Sequence, residues 1–275
     1  MANLIHAIQN PSPYFKAIRN SFIADIEYRS SYYLLIFASF VTVFMELAVF
    51  DHIFSKQESA GDLHHSQALS FIVLGLLLRN GVTLWSNISD WIEQIRDGSF
   101  RKFLLQPLHM PSYFFANAIG PKITTWTLSL VTFAICKIFF SSQFSMMLPL
   151  HKIPMFLMLV TFAYFLTWQL YLTVIYVAFW VEEASALSTA FNLGMGIFTG
   201  TLIPLSWFPP WFREIISYTP FPLIGSFPLQ FAISEIPTQL FYTQFLSLLS
   251  WILLVLFINA FLKQSAFKRF EAFGG

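Results

Sequence analysis

Six stretches of this chain run for roughly 20 residues or more with almost no charge, the length needed to cross about 30 Å of hydrocarbon. They fall near residues 31–50, 66–86, 119–140, 153–180, 186–207 and 241–262. A soluble fold cannot hide so much apolar surface. Of 275 residues, 56% are hydrophobic, 19% aromatic and only 11% charged, and the mean hydropathy is +0.64. The expected fold class is an all-α polytopic membrane protein with six transmembrane helices, a single domain over residues 1–275.

An even number of spans puts both termini on one side. Lys16, Arg19, Arg29, Arg96, Arg101, Lys102, Lys263, Lys268 and Arg269 share that side, against Lys56, Lys152 and Arg213 on the other. The excess of positive charge assigns that side to the cytoplasm. The tight turn between the fourth and fifth runs adds no positive charge; its Glu182 and Glu183 either stay hydrated or touch a partner.

Several classes are disfavoured. The net charge is +1 and no basic stripe exists, so a nucleic-acid partner is not expected. The single cysteine, Cys136, lies in an apolar run and reads as a packing residue. The first residues lack a charged segment followed by an unbroken apolar one, so no cleaved signal is expected. His52, His64 and His65 cluster with Asp51 and Asp62, the residue types of a metal site, but without metal-ligand spacing they read as a solvated loop. No nucleophile, base and orienter fall in a recognisable motif, so the chain reads as no enzyme. The rival classes are an intramembrane lipid-modifying enzyme, which needs polar groups clustered at one membrane face, and a non-transporting scaffold.

Three segments do not span. In residues 12–29, Phe15, Ile18, Phe22 and Ile26 recur at helical spacing among charges, which suggests an amphipathic helix in the interface or one packed on a partner. Residues 87–110 lie between the second and third runs. There Trp85, Ile88, Ile92 and Ile95 share a helical face, Gly98 is placed to end the helix, and Ser99 to open a short second one that stops at Pro107. The result is either a stiff knob able to transmit force or an ordinary loop. Residues 204–238 are apolar and aromatic, yet the stretch from Ile203 to Thr238 holds seven of the fourteen prolines. Such a segment is too broken to span and too apolar for a solvated loop. It suggests short helices dipping into the outer leaflet, with Trp207, Trp211 and Tyr218 at headgroup level, forming a lid or a stabilising cap.

Within the runs, Arg79 is costly unless it faces the bundle or an aqueous cavity, where it is either a pathway or a structural residue. Glu46 and Lys137 are placed to pair with each other, as a salt bridge or a relay.

Arg96, Gly98, Leu104, Leu105, Pro107 and Leu108 resemble the arginine–glycine turn and leucine-leucine-x-proline-leucine run of the ABC-2 type permeases, in particular a bacterial branch of six-span export permeases of similar length. Gly200, Pro204, Pro209, Pro220 and Phe221 are similar to the glycine and proline ladder of the same branch. The resemblance implies an N-terminal interfacial helix, a cytosolic coupling helix and re-entrant outer helices in the bacterial inner membrane. It also implies a second permease, identical or related, and separate ABC ATPase subunits that bind ATP and Mg. Trp91, Glu93, Arg96, Asp97, Gly98 and Arg101 are then the coupling residues. Glu93, Arg96 and Asp97 contact the ATPase, and Gly98 sets the turn. Arg79 would belong to the translocation path, and Pro204, Trp207, Pro209, Pro220 and Phe221 to the outer gate. Consistent with an external energy source, the chain carries no G-x-x-x-x-G-K-[ST] phosphate loop and no cofactor motif. The aromatic load, 34 Phe among it, fits an apolar or amphipathic cargo exported from the cytoplasm and fits lipid-facing surfaces equally well.

Overall fold

The computed structural model describes residues 12–27, 29–54, 59–60, 63–82, 85–106, 108–139, 149–181 and 184–273. Pro107, Asp62 and the Glu182–Glu183 pair lie outside them, as do the side chains of Asp51, His64 and His65, so the readings placed there are not addressed. Among the described residues no cluster of metal-ligating side chains occurs.

The helices are α1 (Ser12–Glu27), α2 (Arg29–Phe54), α3 (His65–Val82), α4 (Trp85–Arg96), α5 (Arg101–Leu104), α6 (Met110–Phe139), α7 (Ile153–Val177), α8 (Ala184–Phe198), α9 (Pro210–Ser217), α10 (Phe221–Ile224), α11 (Ser226–Ile233) and α12 (Thr238–Phe273). A two-residue antiparallel pair, β1 (Ser59–Ala60) and β2 (Leu63–His64), joins α2 to α3.

Among the described residues four helices are long and apolar enough to cross a membrane: Phe37–Phe54, Met110–Ile138, Ile153–Val177 and Thr238–Arg269. The second and fifth expected spans come out shorter, with apolar helix only over Leu69–Val82 and Ala186–Phe198. The fifth run was expected to continue to Trp207. It stops at Phe198 because Gly200 turns the chain at φ 72°, and Pro204 follows with no N–H to extend a helix. The third and sixth helices instead outrun their apolar cores: α6 begins at Met110 and α12 continues to Phe273.

Helix α7 is apolar on every face, and it sits at the centre of the bundle, packed by α3, α4, α8, α10, α11 and α12. Two buried clusters stack along it. The first gathers Phe50, Ile72, Leu159, Leu166, Ile224 and Leu248 around α10 and α11, at what is called here the proline-rich end. The second gathers Ile88, Trp91, Phe100, Phe114, Trp168 and Tyr171 around α4, at the elbow end. Large apolar side chains on the periphery stay exposed, including Phe37 and Phe44 on α2 and Leu253, Phe257 and Phe261 on α12. Such a belt suits hydrocarbon rather than water.

Several buried hydroxyls bond within their own helix, although those of Ser70, Thr124 and Tyr164 meet no partner among the described residues. Thr132 donates to the Leu128 carbonyl, Thr167 to Ala163 and Thr199 to Met195, each one turn back. Helix α1 does not present its predicted face to the bundle: Phe15 and Ile26 are exposed, while small Ala17 is buried. Its backbone lies against Gly120 of α6, where an added Cβ would meet Phe22 N at 2.5 Å and Ile18 O at 2.8 Å.

Candidate functional site

The segment between α3 and α6 forms an elbow. Helix α4 has one apolar face, Ile88, Trp91 and Ile92, all buried in the elbow-end cluster. Trp91 is 3% exposed; its ring stacks on Phe114 at 4.3 Å between centroids and meets Trp168 edge-on at 6.1 Å. It faces the bundle rather than outward because, three residues after Ile88, it belongs to the buried stripe. Trp91 is therefore an anchor of the elbow, not an outward contact.

The turn after α4 rests on Gly98, whose φ of 76° belongs to the left-handed region. That conformation lets the Phe100 N–H reach back to the Gln94 carbonyl at 2.9 Å and drops Phe100 into the core at 1% exposure. Asp97 Oδ1 accepts the Ser99 N–H at 2.8 Å, and this bond holds the exposed carboxyl below the usual carboxylate range. Ser99 does not cap the second helix as expected: α5 begins at Arg101 after Phe100, with no side-chain cap. The opposite side of the elbow is open. Glu93, Arg96, Asp97, Arg101, Lys102 and Leu105 are all exposed, Leu105 by 86%. The elbow thus clamps an apolar face inward and turns a charged face, with one bare leucine, outward.

Arg79 faces the bundle. Its Nη2 donates to Glu46 Oε1 at 2.8 Å, joining α3 to α2. This corrects the expected Glu46–Lys137 pair: Lys137 is exposed in the last turn of α6, while the α2–α3 hairpin brings Glu46 within reach of the long arginine side chain. Beside Arg79 lies a cavity of about 390 Å³, walled by Thr42, Asn80, Thr124 and Thr125. The last carbonyls of α3 are capped from α6. Lys122 Nζ donates to Asn80 O at 2.9 Å and Trp126 Nε1 to Gly81 O at 3.3 Å, which satisfies carbonyls that the helix itself leaves without a donor.

The proline-rich segment consists of a 3-10 turn, Leu205–Trp207, and the short helices α9, α10 and α11. It is woven into the bundle. A Cβ added at Gly75 of α3 would meet the Thr201 carbonyl oxygen at 2.5 Å, and one added at Gly225 would meet the Thr199 carbonyl oxygen at 2.7 Å. Pro204 and Pro220 are buried and Pro209 is exposed. The Phe221 ring lies 5.6 Å from that of Phe198, at the tip of α8. Trp207 leans on Phe50 at 4.9 Å, inside the bundle, while Trp211 and Tyr218 are exposed as anchors would be.

Sequence reasoning passed over the polar residues joining the helices. Tyr171 donates to Asn192 Oδ1 between α7 and α8. Asn259 of α12 donates to both Gln169 O and Gln169 Oε1 of α7 at 2.9 Å and accepts from Thr173 at 2.9 Å. Their signal was available: an amide inside an apolar run needs a partner.

No curated protein matches the chain. The family model for the ABC-2 family transporter protein matches residues 40–274, both short apolar helices, the elbow and the proline-rich segment included, and this chain belongs to that family.

Proposed function

We propose that this chain is the membrane subunit of an ATP-driven exporter and that the elbow receives the stroke of a separate ABC ATPase. Membership in the ABC-2 family makes it a membrane permease of an ABC transporter; direction, cargo and partner belong to the proposal. The observation that carries it is the two-sided elbow: Ile88, Trp91 and Phe100 locked into α6 and α7, and Glu93, Arg96, Asp97, Arg101 and Leu105 left open. A push on that surface moves the helices to which it is bolted.

In this reading α3 and α8 complete six crossings, α8 with help from the proline-rich helices, and the elbow and both termini lie in the cytoplasm, as the positive charges suggest. Two permeases, identical or related, line an outward path, with Arg79 beside it and Pro204, Trp207, Pro209, Pro220 and Phe221 in its outer cap. ATP and Mg are bound by the partner. The cargo is apolar or amphipathic.

The test is co-purification of the tagged chain in mild detergent or a lipid mimetic. A stoichiometric ATP-binding protein and ATP hydrolysis by the complex are expected. A chain that comes away clean under both conditions contradicts the proposal.

A further inference from the structure

Between the start of α6 and the facing sides of α7 and α12 lies a second cavity of about 390 Å³, open at the elbow end. Its rim is basic. Lys263 Nζ lies 3.3 Å from His109 Nε2, and His109 Nδ1 is 2.8 Å from Ser112 Oγ. Burial and the Lys263 cation both push the His109 imidazole below its ordinary value. A neutral ring that accepts from the ammonium and donates to the serine fits both distances. Among the described residues Lys263 meets no carboxylate and no further acceptor, so two of its N–H groups point at nothing the chain supplies.

The walls are aromatic, with Phe115 and Trp168 edge to face at 5.5 Å. A second donor lies deeper. Gln169 is 5% exposed and lines the groove; its Oε1 is taken by Asn259, while its amide nitrogen meets no acceptor among the described residues. Asn259, which holds Gln169, precedes Lys263 by one helical turn, so the two α12 backbone positions lie about 6 Å apart along the helix axis.

We propose that the groove binds a membrane amphiphile with a single anionic headgroup, the headgroup on Lys263, the linkage carbonyl on Gln169 and the chain along Phe115 and Trp168. A half-buried cation that meets no carboxylate among the described residues, beside an amide that meets no acceptor among them and an aromatic trough, matches an anionic phospholipid. This site lies apart from the open face of the elbow and stands whether or not an ATPase docks there.

The chain is placed in phosphatidylcholine nanodiscs containing increasing fractions of dibrominated phosphatidylglycerol or, separately, dibrominated phosphatidylcholine. The Trp168 component of quenching is taken as the difference between the native chain and Trp168→Phe. Half-quenching is expected at a phosphatidylglycerol fraction about tenfold below that of phosphatidylcholine. Lys263→Gln abolishes this preference and Lys263→Arg keeps it, with both variants eluting and melting as the native chain does. Equal quenching by the two lipids, a preference that survives Lys263→Gln, or displacement of the lipid by millimolar inorganic phosphate would overturn the proposal.

Discussion

Glu46 and Arg79 share one hydrogen-bonded ion pair at 14% and 16% side-chain exposure, so removing the acid takes the carboxylate from a largely buried cation. Glu46→Gln should lower stability in mild detergent by about 3 kcal/mol, and adding Arg79→Gln should restore part of it. A single variant that melts with the native chain would show the pair to be dispensable. The turn at Asp97 gives a pH dependence. Its folded pKa is depressed by the bond from Ser99, so the contribution is present above the ordinary carboxylate value and lost as pH falls through the lower folded one. Amide exchange across the elbow should therefore differ between native and Asp97→Asn chains at neutral pH and converge in acid. At this scale the sequence spoke unevenly. That Arg79 must face inward was legible from its cost in hydrocarbon, but its partner was not, because depth along a run ignores the reach of an arginine side chain. His109 and Lys263 lie 154 residues apart, and no local pattern could have joined them.

At the scale of elements, the elbow works only if it is stiff and bolted down. Trp91→Ala removes the stacking on Phe114 and Trp168 and should cost about 3–5 kcal/mol locally. ATP hydrolysis by the complex should lose its dependence on cargo even though Trp91 touches no partner; retained coupling would refute the anchoring role. Helix α1 is held by backbone approach at Gly120. Gly120→Val should lift it from α6 and expose residues 12–27 to protease, while an intact digestion pattern would contradict that packing. The 3.6-residue period already placed Ile88 and Ile92 on one stripe, and Trp91 is on that stripe by the same count. The burial of Trp91 was therefore legible in the sequence, although the expected stripe of Trp85, Ile88, Ile92 and Ile95 omits it. The short helices at Pro204–Ile233 were legible from their prolines. The end of α8 at Phe198 was not, since Leu202 and Ile203 keep the run apolar and only Gly200 followed by Pro204 signals the break.

At the scale of the molecule, the apolar runs announced a helical membrane protein, and four of them appear as helices long enough to span. Of the two short ones, α8 is cut off by Gly200 and Pro204, and both pack against α7 inside the bundle. Helix α7 touches both ends of the bundle, the elbow through α4 and the proline-rich end through α10 and α11. On the proposed function, a separate ATP-binding protein seats on the open face of the elbow. It is tested most directly by a photo-crosslinking residue placed in living cells at Leu105, the barest side chain of that face, and in parallel at Trp211 at the other end of the bundle. The account predicts that an ATP-binding protein is captured from position 105 and not from position 211. Capture from 211, or from neither, would contradict it.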